Sequence, residues 1–170
     1  MRNTGALAVT TPTDREIRMT RDFDAPRHLV FEALTRPELL RRWFGPRGYE
    51  LVECEIDLRV GGTWRYLVRA PDGSEMRLRG VYREVVRPER LVSTEANEDC
   101  DAENGAVSTA TTVLVERDSR TAMTMTMTYP SQEIRDAVLR SGMEHGVAEG
   151  YDQLAEVLAE AAVDNGVVHR

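Results

Sequence analysis

Two tyrosines and one arginine are the polar side chains that this sequence places where they can orient a bound molecule. Tyr66 and Tyr82 fall on the inward parity of two predicted strands, and Arg21 falls on the inward parity of the first predicted strand. A tyrosine hydroxyl can hydrogen-bond a ligand carbonyl or phenol, and an arginine can hold an anionic group. The alternatives are tyrosine hydroxyls at the rim or bonded to backbone, and an Arg21 at the open end of its strand. Both interpretations stay open at this point.

Recognisable catalytic patterns are otherwise missing from the sequence. The three histidines, His28, His145 and His169, have no plausible nucleophile partner. The sequence contains no nucleophile elbow, H-E-x-x-H motif, P-loop or dinucleotide-binding fingerprint. All 22 basic residues are arginine, which excludes a Schiff-base lysine. The sequence therefore predicts no catalytic residue and no cofactor.

The two cysteines give no sign of a metal or redox site. Neither Cys54 nor Cys100 belongs to a C-x-x-C pair or a Cys/His cluster, the patterns typical of zinc sites and thioredoxin-type motifs. The acidic stretch 99–105 departs from a calcium loop, because its glycine comes one place late and Ala110 stands where the closing glutamate is needed. We expect reduced thiols and no metal, and a disulfide between the two cysteines stays open.

A larger set of apolar side chains shares the inward parity of the predicted sheet. Met123, Met125 and Met127 alternate with threonines on the last predicted strand. Methionine adapts its shape, so this stripe suits a site for varied apolar ligands, and the alternative is an ordinary core. Trp43 is assigned either to a cavity mouth or to the core. The complete set of predicted ligand-binding residues is Trp43, Trp64, Tyr66, Met76, Leu78, Tyr82, Met123, Met125, Met127, Met143, Val147, Tyr151 and Arg21.

Hydrophobic periodicity predicts the elements that position these residues. Residues 16–24 alternate as a strand, and two short helices follow before Gly45-Pro46. Short turns then separate six strands, which must pair antiparallel. Residues 131–162 have helical periodicity, with an expected break near Ser141-Gly142. The six strands are predicted at 49–58, 63–70, 75–85, 90–97, 107–117 and 120–129.

This order predicts one α+β domain over residues 15–163, in which a curved antiparallel sheet of about seven strands surrounds a long C-terminal helix. Residues 1–14 are expected to form a flexible arm and residues 164–170 a tail. Gly142, Gly146 and Gly150 recur every four residues, which predicts a close approach of the helix to the sheet, and the alternative is that the missing side chains leave cavity volume or let the helix flex.

Short motifs in a fixed order support this architecture. They are Phe23–Pro26 (FDAP), Thr35–Glu38 (TRPE), Arg42–Pro46 (RWFGP), Asp57–Arg65 (DLRVGGTWR), Asp72–Gly73, Gly80–Tyr82 (GVY) and Ser141–Gly146 (SGMEHG). Over about residues 16–160 the chain resembles the C-terminal-domain family of the Hsp90 ATPase activators, within the START-like (SRPBCC) superfamily that also contains the birch-pollen allergen and polyketide cyclase/dehydrase groups. The resemblance implies the helix-grip fold, with a cavity between sheet and helix.

Composition limits the partners. The chain has 29 acidic and 22 basic residues, and its net charge of -7 opposes attraction to nucleic-acid phosphates and anionic lipid. No apolar run approaches the ~18 residues that span a bilayer, and no signal-peptide core is present. We expect a cytoplasmic protein with a hydrophobic small-molecule ligand and with neither a nucleic-acid nor a membrane partner. It is expected to be a monomer or a homodimer, the latter through an exposed Ile134–Val138 patch.

Charged residues on the outward parity favour a structural role. Arg65, Arg69, Arg77, Arg79 and Arg83 form a basic stripe that could dock an acidic partner. The favoured alternative is a solvent-facing surface balanced by the glutamates of the adjacent strand. Asp57 and Arg59 are likewise interpreted as a turn-stabilising ion pair, and not as a catalytic pair.

The resemblance implies functions of three classes. The first is binding of an apolar or aromatic molecule, lipid-like or polyketide-like, in the cavity. The second is a cyclase or dehydratase step in the same cavity, with Tyr66, Tyr82 or Arg21 polarising a carbonyl. The third is a protein interaction like that of the chaperone activators. We expect binding and no catalysis, because no catalytic constellation supports turnover.

Overall fold

The computed structural model of the chain describes residues 7–98 and 107–168. Cys100 and His169 lie outside these ranges. None of the described helices has the length and apolar composition that crossing a membrane requires. The elements in chain order are β1 (Ala8–Thr10), β2 (Glu16–Phe23), α1 (Arg27–Thr35), α2 (Pro37–Trp43), β3 (Glu50–Ile56), β4 (Thr63–Arg69), β5 (Glu75–Val86), β6 (Arg90–Asn97), β7 (Ser108–Arg117), β8 (Arg120–Thr128), α3 (Gln132–Arg140) and α4 (Met143–Val168).

The eight strands form one antiparallel sheet in the order β1-β2-β8-β7-β6-β5-β4-β3. Consecutive strands from β3 to β8 are neighbours, as their short connections require. The strand β2 returns beside β8, with Met19 opposite Met125. The curved antiparallel sheet and the long C-terminal helix confirm the predicted helix-grip architecture.

The additional strand is β1, which pairs with β2 through Val9 and Met19. The sequence analysis assigned these residues to a flexible arm, and for residues 8–10 that prediction is wrong. Three residues are too few to show alternation, and the strand forms because β2 offers it an edge.

Side chains of the inward parity pack against the helices in two clusters, and we call the sheet face that carries them the inner face. The larger cluster joins Phe23, Leu114 and Met123 of the sheet to Leu154 and Leu158 of α4. The smaller cluster joins β2 and β8 to α3 and the start of α4. Its buried members are Ile17, Met19, Met127 and Tyr129, and Met125, Val138, Leu139, Met143 and Val147 pack against them.

The contacts of the smaller cluster contradict the predicted homodimer patch at Ile134–Val138. Val138 packs against it, so its side chain is turned toward the core. Ile134 is 38% exposed. The two residues therefore do not form one exposed apolar patch.

The predicted break in the last helical segment is confirmed. The helix α3 ends at Arg140, and Gly142 adopts a positive φ of 78° that favours glycine. The helix α4 then runs to Val168, so residues 164–168 are helical where a tail was predicted.

The glycines of α4 serve a close approach, but to a loop and not to the sheet. An added Cβ at Gly150 would lie 3.4 Å from the carbonyl oxygen of Gly45, and one at Gly146 would lie 3.1 Å from Cγ of Pro46. The side chain of Gln153 donates a hydrogen bond of 2.7 Å to the Gly45 carbonyl. The loop after α2 is thereby fixed against α4.

Gly80 marks the tightest packing within the sheet. An added Cβ there would overlap both the carbonyl oxygen of Thr94 and the indole of Trp64. Trp64 lies opposite Gly80 in the β4–β5 register, so the indole occupies the space that a side chain on β5 would need. The Gly80–Trp64 pair therefore places one aromatic ring on the inner face.

We expect Gly80→Ala to lower the free energy of unfolding by about 2 kcal/mol or more, because backbone and a rigid ring must both move. Gly146→Ala is the matched control. There, ~1 kcal/mol of helix propensity offsets the contact with Pro46, and we expect a change within about 1 kcal/mol. Urea unfolding measures both, and equal losses would contradict the packing argument.

Candidate functional site

The inner face of β6 is more accessible than the outer face of the same strand. The outward residues Val92, Thr94 and Ala96 are buried. The inward Ser93 and Glu95 are only half-buried. In a two-layer domain the inward residues are normally the buried ones, so β6 reverses the usual burial pattern.

Register identifies which face each of these residues occupies. Ser93 lies opposite Tyr82 of β5 and Ala110 of β7. Ala110 packs against the cluster of Ile17 and Met127, which fixes this row on the inner face. Since strand side chains alternate, Glu95 shares the face of Ser93.

Half-buried side chains also occur on neighbouring elements of the inner face, and we call this set of residues the inner-face site. Its members share a position facing the space between sheet and α4, together with a half-buried side chain. They are Tyr66, Leu78, Ser93, Glu95, Ala110, Met125, Met143 and Val147. Four of the six sheet residues come from three central strands, β6, β7 and β8, and α4 supplies the last two.

Aromatic rings form a continuous row beside the inner-face site. The ring centroids of Trp64 and Tyr66 lie 4.6 Å apart, and those of Tyr66 and Phe44 lie 5.1 Å apart in an edge-to-face arrangement. Trp43 continues the row at 5.8 Å from Phe44 and at 6.2 Å from Tyr151. These separations are those at which aromatic pairs stabilise one another. The row links β4 to α4 and provides one apolar wall.

The tyrosine hydroxyls in this region are held in the neutral form. Burial raises the pKa of Tyr66, Tyr82 and Tyr151. Burial also raises the pKa of Tyr129, to about 12. At neutral pH each hydroxyl is therefore a hydrogen-bond donor and acceptor without charge.

Glu95 is the acidic member of the site, and the sequence analysis did not single it out. Its negative charge contributes to the raised pKa of Tyr66, Tyr129 and Tyr151, after the larger effect of burial. These tyrosines come from β4, from the end of β8 and from α4. The sequence signal that could have placed Glu95 on the inner face is its even spacing from Leu91, because residues two and four places apart on a strand share one face.

Arg21 lies on the inner face as predicted, but it holds the fold together. Its guanidinium donates to Asp152 of α4 at 2.7 Å, and its side chain is 2% exposed against 53% for Asp152. The guanidinium carbon also lies 5.4 Å from the ring centroid of Phe23. The predicted alternative of an open strand end is therefore wrong, and Arg21 ties β2 to α4.

The other predicted ligand-binding residues differ in burial. Met123, Met127, Trp64, Tyr82 and Tyr151 are buried, whereas Tyr66, Leu78, Met125, Met143 and Val147 border the inner-face site. Trp43 is a core anchor, since its indole nitrogen donates to the Ala33 carbonyl at 2.8 Å. Met76 is 38% exposed and does not belong to the site, because it lies at the β4–β5 end of the sheet, opposite Val68.

Three of the five outward arginines, Arg65, Arg69 and Arg77, pair with neighbouring carboxylates. Arg69 pairs with Glu75 at 2.9 Å, and Arg65 pairs with Glu98 at 3.4 Å. Arg59 pairs with Asp57 at 2.9 Å beside the Gly61-Gly62 turn, as predicted for a structural ion pair. These exposed pairs support the interpretation of a solvent-facing surface.

A concavity of about 520 Å³ lies away from the inner-face site, beside the start of α1, Pro88 and the end of β7. Two of its charged side chains already bond to other parts of the fold. Glu116 accepts a hydrogen bond of 2.8 Å from the backbone N–H of Arg27, and Arg90 pairs with Glu84 at 2.9 Å. We therefore place the candidate site at the inner face, where polar and apolar groups converge.

The described residues give little indication of a metal site or of a reactive thiol. Within the described ranges, no three His, Cys, Asp or Glu side chains come together as a metal site would require. Burial raises the pKa of the Cys54 thiol to about 11, so it is protonated at neutral pH. Cys54 is a core residue on the inner face.

Comparison with known proteins agrees with this architecture. Residues 24–159 match the family model described as activator of Hsp90 ATPase homolog 1-like protein. No curated protein sequence matches the chain.

Solved structures share the fold over most of the chain. A protein from Rhodobacter sphaeroides is 28% identical with a TM-score of 0.84, covering 92% of this chain and 99% of its own. A protein from Nitrosomonas europaea is 26% identical with a TM-score of 0.80, covering 90% and 99%. An HSP90 activator from Plasmodium falciparum, 23% identical with a TM-score of 0.54, covers 68% and 73% and shows a likeness of fold.

We expect Asp152→Asn to lower the free energy of unfolding by about 1–3 kcal/mol, because it leaves the buried Arg21 charge without this carboxylate. The double variant Arg21→Met/Asp152→Asn should recover part of the loss. Glu156→Gln, which removes an exposed pair with Arg47, is the matched control and should cost less than about 1 kcal/mol. Urea unfolding of all three variants measures this, and equal losses in the two single variants would contradict it.

Stability should fall as the pH rises above about 9. The thiol of Cys54 and the buried tyrosines bind their protons more tightly in the folded state, since burial raises their pKa. Deprotonation therefore favours the unfolded chain, in which thiols and phenols ionise near their ordinary values. The measurement is the free energy of unfolding in urea from pH 7 to 11, and a constant value across that range would contradict the burial of these groups.

Proposed function

Because the chain belongs to the activator of Hsp90 ATPase homolog 1-like family, we propose that it binds a small molecule in the inner-face site. The proposed ligand is apolar or aromatic, and the proposed location of the protein is the cytoplasm. Family membership alone leaves the activity open, because one fold hosts several functions. The argument for binding is therefore drawn from the site.

The reversed burial on β6 is the observation that carries the proposal. Ser93 and Glu95 face the helix side yet remain half-buried, whereas Val92 and Ala96 on the outer side are buried. A fully packed core would bury the inward residues first. Accessible surface on the inward side of central strands supports a space that a ligand can enter.

The walls of the inner-face site fit an apolar or aromatic guest. Met125 and Met143 offer flexible thioether side chains that adapt to different shapes. Trp64 and Tyr66 offer ring faces, and Tyr66 adds a neutral hydroxyl. A mostly apolar lining with a few converging polar groups is the usual character of small-molecule sites.

Binding is preferred over turnover as the proposed activity. The neutral tyrosines can donate hydrogen bonds to a ligand carbonyl, which a cyclase or dehydratase step would also use. Such a step further needs a general base beside the reacting atoms and within hydrogen-bond reach. Glu95 lies on the inner face opposite Ser108, and under this proposal its role is ligand recognition.

A pair of alanine substitutions on opposite faces tests the proposal. Ala110 and Ala122 are both half-buried, but Ala110 packs on the inner face, whereas Ala122 precedes the inward Met123 and faces outward. We expect Ala110→Leu to weaken binding of the neutral fluorescent probe N-phenyl-1-naphthylamine by tenfold or more, because the added carbons fill the site. Ala122→Leu should change the affinity by less than about twofold. Fluorescence titration gives both values.

Native mass spectrometry of freshly purified protein is the companion measurement, since a retained apolar molecule would identify a natural ligand class. Equal affinities for the two variants would place the probe outside the inner-face site. An absence of probe binding by the unsubstituted protein would contradict the proposal. If the protein then stimulated an Hsp90 ATPase, the chaperone interaction suggested by the family description would replace it.

A further inference from the structure

Two buried side chains beside the inner-face site carry hydrogen-bond donors that the fold itself does not use. Trp64 and Tyr82 are each 5% exposed. Within residues 7–98 and 107–168, neither the indole N–H of Trp64 nor the hydroxyl of Tyr82 makes a hydrogen bond. Neither atom is fully enclosed by its neighbours, so both donors retain accessible surface. Buried donors are normally paired, and these two therefore point to an acceptor from outside the chain.

Buried donors elsewhere in the core are paired with backbone carbonyls. The indole N–H of Trp43 donates to the carbonyl oxygen of Ala33 at 2.8 Å. The hydroxyl of Thr121 donates to the carbonyl oxygen of Ala25 at 2.7 Å. The fold thus provides acceptors where a donor has only a structural role, which distinguishes the two donors on the inner face.

Strand register places the two donors at neighbouring positions. Trp64 lies opposite Gly80 of β5, and its Nε1 lies so close to Gly80 that an added Cβ there would overlap it. Tyr82 is two places further along β5, on the same face, and lies opposite the half-buried Ser93 of β6. Residues diagonally across two antiparallel strands are about 7–8 Å apart, within reach of aromatic side chains. The two donors therefore belong to one polar patch on the inner face of β5.

The chemistry of the two donors determines which ligand group can satisfy both. An indole N–H can only donate, so a ligand amine, which brings donors, cannot pair with Trp64. Burial raises the pKa of Tyr82, so its hydroxyl keeps its proton at neutral pH and can also donate. A carbonyl oxygen has two lone pairs and can accept from both groups.

An uncharged carbonyl suits this environment better than an ionised carboxylate. Burial of an anion is costly unless a cation pairs with it. The guanidinium of Arg21 on the inner face already donates to Asp152 at 2.7 Å. The rings of Trp64 and Tyr66, with centroids 4.6 Å apart, offer apolar surface to a neutral body.

We propose that the inner-face site selects neutral ligands that carry a carbonyl group on an aromatic or apolar body, and that Trp64 and Tyr82 donate to the carbonyl oxygen. The body lies against the ring of Tyr66 and the flexible side chain of Met125. A hydrocarbon of the same shape is disfavoured, because it leaves both buried donors without an acceptor. This inference rests on the proposed function and adds the polar group that the ligand must carry.

Two naphthalene ligands of the same shape test the inference on the unsubstituted protein. The first is 1-acetonaphthone, and in the second, 1-isopropenylnaphthalene, a CH₂ group replaces the carbonyl oxygen. A site without donors would favour the hydrocarbon, because the ketone gives up hydrogen bonds to water on binding. We expect the ketone to bind about fivefold or more tightly than the hydrocarbon, measured by displacement of N-phenyl-1-naphthylamine.

The outcomes separate this inference from the proposed function. Equal affinities, tighter binding of the hydrocarbon, or no displacement of a bound probe by the ketone would overturn the inference and leave the proposed function standing. If neither the probe nor the two ligands bind, the proposed function itself fails.

Removal of single donors assigns the selectivity to these residues. Tyr82→Phe removes only the hydroxyl, and Trp64→Phe removes the indole N–H, so each should lower the ketone-to-hydrocarbon affinity ratio by about threefold or more. Tyr49→Phe is the matched control, since it removes the hydroxyl of a tyrosine that is 40% exposed just before β3, and it should keep the full ratio. An unchanged ratio in Tyr82→Phe or in Trp64→Phe would overturn the assignment of that donor.

An infrared measurement on the unsubstituted protein keeps the inference falsifiable if those variants do not fold, which circular dichroism detects. Hydrogen bonds to the oxygen weaken the C=O bond of a ketone. The carbonyl band of bound 1-acetonaphthone, identified with a ¹³C label, should therefore lie at a lower frequency than in hexane. A band at the hexane frequency would show a carbonyl without donors and would overturn the inference.

Discussion

A single long helix has to cover one face of an eight-stranded sheet, and this mismatch in width governs the structure. A helix is about 10 Å across with its side chains, whereas neighbouring strands lie about 4.8 Å apart, so one helix covers roughly two strands. The short helices α1 and α2 extend the cover, and α2 lies against α4 and β3. The half-buried inward residues of β6 are the part of the face that this cover leaves accessible.

The position of α4 therefore has to be fixed by particular contacts. Leu154 and Leu158 enter the core cluster, and Asp152 binds Arg21 of β2. On the opposite side of the helix, Gln153 and the glycines hold the loop after α2. The helix α4 is thereby held over β2 and against the loop after α2, while the inward residues of β6 stay half-buried.

Electrostatics then distinguishes the two faces of the sheet. On the outer face, arginines and glutamates neutralise one another in exposed pairs, which contribute little to stability. On the inner face, burial keeps the tyrosines neutral, and Glu95 acts on three of them. Glutamate thus has different roles on the two faces, because the electrostatic effect of a carboxylate is weaker in water than in a buried environment.

Local periodicity was sufficient to determine the strands β2 to β8, the helix break at Gly142 and the inward parity of Met123, Met125 and Met127, since these depend on neighbours in the chain. Met76 has the same inward parity and is exposed, because alternation gives a face but not whether anything covers it. Tertiary structure alone decided that Asp152 pairs with Arg21 and that the charge of Glu95 acts on Tyr66 of another strand. Those partners are distant in sequence, and only the packing of α4 on the sheet brings them together.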